Sequence, residues 1–225
     1  MIFALAQPAS LAGLLLAFVV ALASRAVVQR LLARRLLRVP LDRPLFSIKR
    51  DADIFGVVGA IFGGTGWGHP APVPDHYSGR RPHDAGRRAL VLLAGPLVPI
   101  VLASAVLALY VSLGRPYLAF ASPLTTLGGL PAAPYLDQFL LSLGIGLLSF
   151  GLLDLVPLPP LDGWGLLRLA VRQEGPGMQR ARHWLEEQNV GTAILVVGML
   201  PIFGGRGLWV VVLDALATPL LLPWR

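Results

Sequence analysis

Apolar residues in this chain run in long blocks with polar punctuation, not in the alternation of an amphipathic helix or a half-buried strand. The first block, residues 10–32, is uniformly apolar until Ser24, Arg25, Gln29 and Arg30 near its end, and predicts a membrane-crossing helix. Blocks at about 88–113 and 134–156 predict two more crossings, and shorter ones at 190–203 and 208–222 predict a final pair. Between the first two blocks the pattern breaks. Phe46-Ser-Ile-Lys reads as a short strand, 53–62 is apolar but too short to cross, and Gly63 to Pro74 is a Gly/Pro-rich loop. Residues 44–74 are therefore expected to form a re-entrant or strand-like segment at the membrane face. Residues 161–173 predict a short amphipathic helix.

Composition strengthens this reading. The chain of 225 residues is 55% hydrophobic and 14% charged, where a soluble domain carries about 25% charge. The expected fold is an all-α polytopic membrane protein folded as one domain over residues 1–225. No cleaved signal peptide is expected, because no positive region precedes the first apolar run. There is no cysteine, which excludes disulfides, thiolate nucleophiles and Cys-ligated metals.

The net charge of +7 comes from 18 Arg and one Lys against 12 acidic residues. Nucleic-acid binding is not implied, since the basic residues flank apolar spans, as orientation and anionic-lipid contact require. With the N-terminus outside and five crossings, 16 basic residues fall on the cytoplasmic side; Arg115 and Arg206 fall outside, and Arg25 lies within the first span. An N-out, C-in orientation in a bacterial plasma membrane is expected, with the lipid bilayer as one partner.

The chemistry concentrates in Asp154-Leu-Val-Pro-Leu-Pro-Pro-Leu-Asp162-Gly163. Proline fixes φ and removes an N–H donor, so this stretch cannot continue the helix before it. Unwound backbone at membrane depth survives only where protein or water covers it, and carboxylates there are costly and mark function. Asp154 and Asp162 thus line a covered polar pocket, roughly level with Arg25. Trp67, Trp164 and Trp224 fit an aromatic belt at the interfaces. Gly144 and Gly146 fit close helix packing, and Gly163 and Gly165 fit a tight turn into the next helix.

This run resembles the Asn-x-x-Pro-x-Pro-x-Leu-Asp-Gly motif of site-2 proteases, which are intramembrane zinc metalloproteases. Ala94-Gly95-Pro96 resembles that family's Ala-Gly-Pro helix, and Gly66-Trp-Gly-His-Pro-Ala-Pro-Val73 resembles the membrane-face loop of its small bacterial members. The three motifs occur in the family's order over roughly residues 12–170. The resemblance implies a site-2-protease-like helical bundle, and it makes Gly66, Trp67, Pro70 and Pro72 substrate- or partner-facing, with the 44–74 segment either adding an extended peptide as a strand or serving as a structural plug over the pocket.

One departure dominates. The family's first span carries His-Glu-x-x-His, where two His on one helix face bind zinc and the Glu activates water. Aligned on Ala26, those positions are Ala21, Leu22 and Arg25. Of the three ligands the resemblance implies, Asp162 alone remains. Catalytic zinc needs about three protein ligands and an open position, so no metal cofactor is expected unless ligands are displaced. His69, His76, His83 and His183 read as solvated loop residues, although His76, His83, Asp75 and Asp84 leave a relocated metal site open. With no metal, two carboxylates need a cation, and Arg25 is expected to pair with Asp154, Asp162 or both. The leading expectation is a catalytically inactive member that binds or scaffolds a transmembrane protein or peptide. The alternatives are an active metalloprotease with non-standard ligands and a structural subunit of a larger membrane complex.

Overall fold

The computed structural model describes residues 1, 4–40, 44–70, 85–130, 133–171, 175–202 and 205–224. Among these every regular element is a helix. Three helices are long and apolar enough to cross a membrane. The first, α1 (Pro8–Leu32), starts on a proline whose missing N–H costs nothing at a helix start. It runs on through a π turn (Ala33–Leu37) and stops at Arg38, which takes a left-handed conformation at φ 58°. The second and third are α4 (Ala85–Ser112) and α6 (Tyr135–Asp154).

α6 packs against both α1 and α4, which also touch each other. It occupies the centre: 83% of its apolar stretch is buried in protein, against 33% for α1 and 39% for α4. Small residues permit this approach. A Cβ on Gly146 would lie 2.8 Å from that of Ala17, and one on Gly151 would lie 2.6 Å from the Pro96 carbonyl oxygen. At the end of the bundle away from Arg25, the buried Asp137 accepts hydrogen bonds from Tyr110 Oη (2.7 Å) and Arg115 Nη1 (2.8 Å), tying α4 to the start of α6.

The segment after α1 departs from its expected form. Instead of a strand at Phe46–Lys49, residues Ile48–Asp51 form a single helical turn, α2. The reason is local: the Ser47 amide donates to Asp51 Oδ2 (2.8 Å), and the Asp51 amide donates to the Ser47 carbonyl (2.9 Å). Such side-chain bonds offer the backbone an alternative to extension. A ten-residue helix follows, α3 (Ile54–Gly63), capped by Asp53, which accepts from the Phe55 amide, and closed by Gly64 at φ 79°. Strand pairing among the described residues is confined to one antiparallel bridge, Ala52 with Gly68.

The closing pair is short, the second helix falling where its apolar block does and the first stopping early. After α5 (Pro123–Thr126) and α6 come α7 (Asp162–Ala170), α8 (Pro176–Arg182) and a π turn at His183–Glu187. Then α9 (Val190–Met199) and α10 (Leu208–Leu221) span only about 15 and 21 Å at 1.5 Å per residue, below the roughly 30 Å of a bilayer core. Pro201 explains the early stop of α9, since it drives Leu200 out of helical geometry (ψ 144°). α9 packs on α3, and α10 on α5 and α6.

Trp67 and Trp164 are not belt residues. Trp67 is wholly buried, its indole donating to Asp53 Oδ2 (3.2 Å). Gly56 makes room for its backbone, as a Cβ there would sit 2.0 Å from the Trp67 carbonyl oxygen. Trp164 is buried and donates to Glu186, which Arg168 also contacts at 2.9 Å, fixing α7 to the His183–Glu187 turn. Trp224 is partly buried.

Candidate functional site

The last third of α1 stacks Ala21, Leu22, Arg25 and Gln29 toward the bundle interior, at the spacing that puts residues on one helix face. The two carboxylates reach the same point from opposite ends of a turn. Asp154 is the last residue of α6 and Asp162 the first of α7. Between them Pro157, Pro159 and Pro160, with a cis peptide joining the last two, reverse the chain. The Asp162 amide points back at Asp154 Oδ1, 3.4 Å away. Only glycine fits at 163, where a Cβ would come 2.1 Å from the Leu155 carbonyl oxygen.

Arg25 lies between the carboxylates. Its Nε is 2.8 Å from Asp154 Oδ2 and 3.0 Å from Asp162 Oδ2, and its N–H is directed at the latter. Nη2 is 2.9 Å from Asp162 Oδ1. The contact with Asp154 is thus one of charge without an aligned hydrogen bond, while Asp162 takes the one aligned hydrogen bond, from Nε, and meets Nη2 as a close ion pair. Nη1 donates to the His69 carbonyl (2.9 Å), which anchors the segment after α3 to the cluster. Gln29 donates to Asp162 Oδ2 at 2.5 Å. Arg25, Asp154 and Asp162 are only 3%, 1% and 2% exposed, so these charges answer one another and not water. Two glycines admit this packing. A Cβ on Gly95 would fall 2.2 Å from both Asp162 Oδ2 and Gln29 Nε2, and one on Gly68 would fall 2.5 Å from Leu22 and 3.2 Å from Arg25 Nη1.

The donor chemistry does not suit zinc. A zinc ion needs lone pairs from about three ligands and a free position. Here both Asp162 oxygens already face the Arg25 guanidinium, and Gln29 adds a further N–H. Ala21 and Leu22, at the positions where the family resemblance puts a histidine and the glutamate, are buried apolar side chains. His69 offers its carbonyl to the cluster, and its own side chain belongs to an exposed residue. His183 is exposed and pairs with Glu187 at 2.6 Å on the π turn. Among the described residues no three His, Cys, Asp or Glu groups are placed to hold a metal. Asp75, His76, His83 and Asp84 lie outside the described residues.

Of the residues expected to face a partner, Gly66 and Trp67 are buried and serve the packing of α3, Pro70 is exposed, and Pro72 lies outside the described residues. Gln29 was not foreseen as a member of the site. Its signal was available, since it stands one helical turn after Arg25 as a polar residue in an apolar span. Gly95 was visible only as part of a motif, and its contact with Asp162 is a fact of three-dimensional packing.

The chain is 31% identical over 161 residues to a Bacillus subtilis (strain 168) protein described as "Putative zinc metalloprotease YwhC". The match covers 71% of this chain and 66% of that protein, just under two thirds of its length. No family model matches the chain, and no solved structure does. The relative and the three long apolar helices together fit a membrane protein of the site-2 protease type.

Proposed function

We propose that this protein is a zinc-free, proteolytically silent member of the site-2 protease family that binds or scaffolds a membrane partner. The observation that carries this reading is the Arg25 guanidinium, set between Asp154 and Asp162 where the resemblance puts a metal ligand. A guanidinium is a donor with no lone pair to give. It neutralises carboxylates, but it cannot polarise a carbonyl as a Lewis acid or lower the pKa of a bound water. With Leu22 in place of the glutamate, the family's usual position for a general base is apolar. The charge network locks the ends of α1, α6 and α7 together and seals the cleft. What remains for such a fold is recognition, through the exposed Pro70 end of the 44–70 segment or through the outer faces of the helices. The reading places the chain in a bacterial plasma membrane, N-terminus outside, with a transmembrane protein or peptide as its partner.

The test is metal analysis of the full-length protein purified in detergent without chelator, paired with in vivo photo-crosslinking from position 70. The expected results are zinc well below one ion per chain, unchanged by Asp162→Ala, and a discrete crosslinked membrane protein. Stoichiometric zinc that disappears in Asp162→Ala, together with peptide cleavage by the pure protein, would favour a working metalloprotease with displaced ligands. A partner co-purifying at fixed stoichiometry would favour a subunit of a larger complex.

A further inference from the structure

The end of the bundle that carries the cluster holds cations the fold does not use. α1 with its π turn is 30 residues, about 45 Å at 1.5 Å per residue, against roughly 30 Å of hydrocarbon. A helix of that length outruns the hydrocarbon, and the arginines on its last turns favour that end for the headgroup layer. Arg30 there is committed, bonded to Asp51 and to the Leu45 carbonyl. Arg34, Arg35 and Arg38 are exposed, as is Lys49 at the turn of α2, and among the described residues their side chains meet no hydrogen-bond or ion-pair partner. Of the acids described at this end, Asp51 faces Arg30 and Arg50, Asp154 and Asp162 face Arg25, and Glu186 faces Arg168, while Asp53 accepts from the Phe55 amide and the Trp67 indole. Among the described residues the balance at this end is therefore positive, with Arg34, Arg35, Arg38 and Lys49 against Asp53.

Apolar side chains stand exposed in the same region. Ile48 adjoins Lys49 at 59% exposure, and Ile54 and Phe55 follow at 78% and 55%. Cations beside exposed apolar side chains, at the level where a span leaves the hydrocarbon, match the headgroup and acyl boundary of a bilayer. The α1 C-terminus itself carries partial negative charge that favours cations on its last turn.

We propose that Arg34, Arg35, Arg38 and Lys49 form a binding surface for the phosphate headgroups of anionic phospholipids, with Ile48, Ile54 and Phe55 seated in the adjoining acyl layer. Each basic residue at a membrane surface contributes about 1 kcal/mol toward anionic lipid, so three together amount to a preference on the order of a hundredfold.

The full-length protein, delipidated in neutral detergent, is titrated with phosphatidylglycerol, phosphatidylcholine or inorganic phosphate, and binding is read by native mass spectrometry and by the shift in melting temperature. Phosphatidylglycerol should bind tightest, and 1 M NaCl should abolish its advantage, because exposed charges are screened within about 3 Å at that strength. R34Q/R35Q/R38Q should weaken phosphatidylglycerol by at least about tenfold, while R34K/R35K/R38K should keep most of it, since charge and not fork geometry is what the surface supplies. Equal binding of phosphatidylcholine, an advantage that survives high salt in the unaltered protein, or a Gln variant that melts normally and binds as before would each overturn the proposal. So would inorganic phosphate stabilising as much as the lipid, which would make this a site for a free anion.

Discussion

Arg25 contributes five N–H donors in a rigid fork, and the structure directs them at Asp162, at the His69 carbonyl and, by charge alone, at Asp154. This division of labour makes the three charges unequal. Arg25→Ala strips both carboxylates of their cation inside the bundle, and removal of one partner from a buried pair costs about 3–5 kcal/mol. Asp154→Asn gives up no aligned hydrogen bond and takes the cluster from a net −1 to neutral. It is expected to cost less than Arg25→Ala and to be close to neutral, as measured by thermal unfolding in detergent; a larger loss for Asp154→Asn would contradict the geometry. Gly95→Ala forces a methyl against Asp162 Oδ2 and Gln29 Nε2. Overpacking of this kind costs roughly 1–3 kcal/mol, and the melting temperature should fall accordingly while Gly86→Ala, with open space around it, leaves it unchanged.

At the scale of elements, the segment between α1 and α4 is held by polar contacts at two points. One is the His69 carbonyl on Arg25. The other is Asp51, which takes Arg30 and the Ser47 amide. Burial raises the Asp51 carboxyl, but the hydrogen bonds from Arg30 and Ser47 and the charges of Arg30 and Arg50 outweigh it, so the group titrates below its ordinary 3.8. A depressed folded-state pKa adds stability above the unfolded value, and that stability is lost as pH falls through the folded one. The melting temperature should therefore drop as pH is lowered from about 5 to about 2, and Asp51→Asn should lower it at neutral pH and flatten that acid limb. Identical acid limbs in the two proteins would remove Asp51 from this role. The same residue accounts for the misread strand. Phe46-Ser-Ile-Lys has the apolar–polar alternation of a strand, but the deciding contacts come from Asp51 and from Arg30 on another element. Long apolar runs foretold α1, α4 and α6 because each is a property of its own residues. Trp67 ran against its motif because burial depends on Gly56 and Gly59 across a loop, which no pattern along the chain displays. Arg25, Asp154 and Asp162 were identifiable because isolated charges in apolar runs demand partners, whereas the contribution of Gln29 rests on which way one helix face turns.

For the whole molecule, three helices among the described residues are long and apolar enough to cross a membrane, while α9 and α10 are shorter. The π turn after α1 packs on α4, so α1 ends and α4 begins at one face of the bundle, and α4 carries the chain to the other. The absence of cysteine gives a clean background for labelling. Arg35→Cys and Ser112→Cys, both at exposed positions, should react with a membrane-impermeant maleimide from opposite sides of the vesicle; labelling of both from one side would refute this course of the chain.

The central place of α6 has a mechanical consequence. Because protein encloses most of its circumference, this helix offers little surface to a bilayer, while α1 and α4 are uncovered along much of theirs. A thicker or thinner membrane therefore tilts the outer two helices first, at a cost of fractions of a kcal/mol per Å. Since Arg25 rides on one of those outer helices and Asp154 on the sheltered one, changes in bilayer thickness are conveyed straight to the joint between guanidinium and carboxylates.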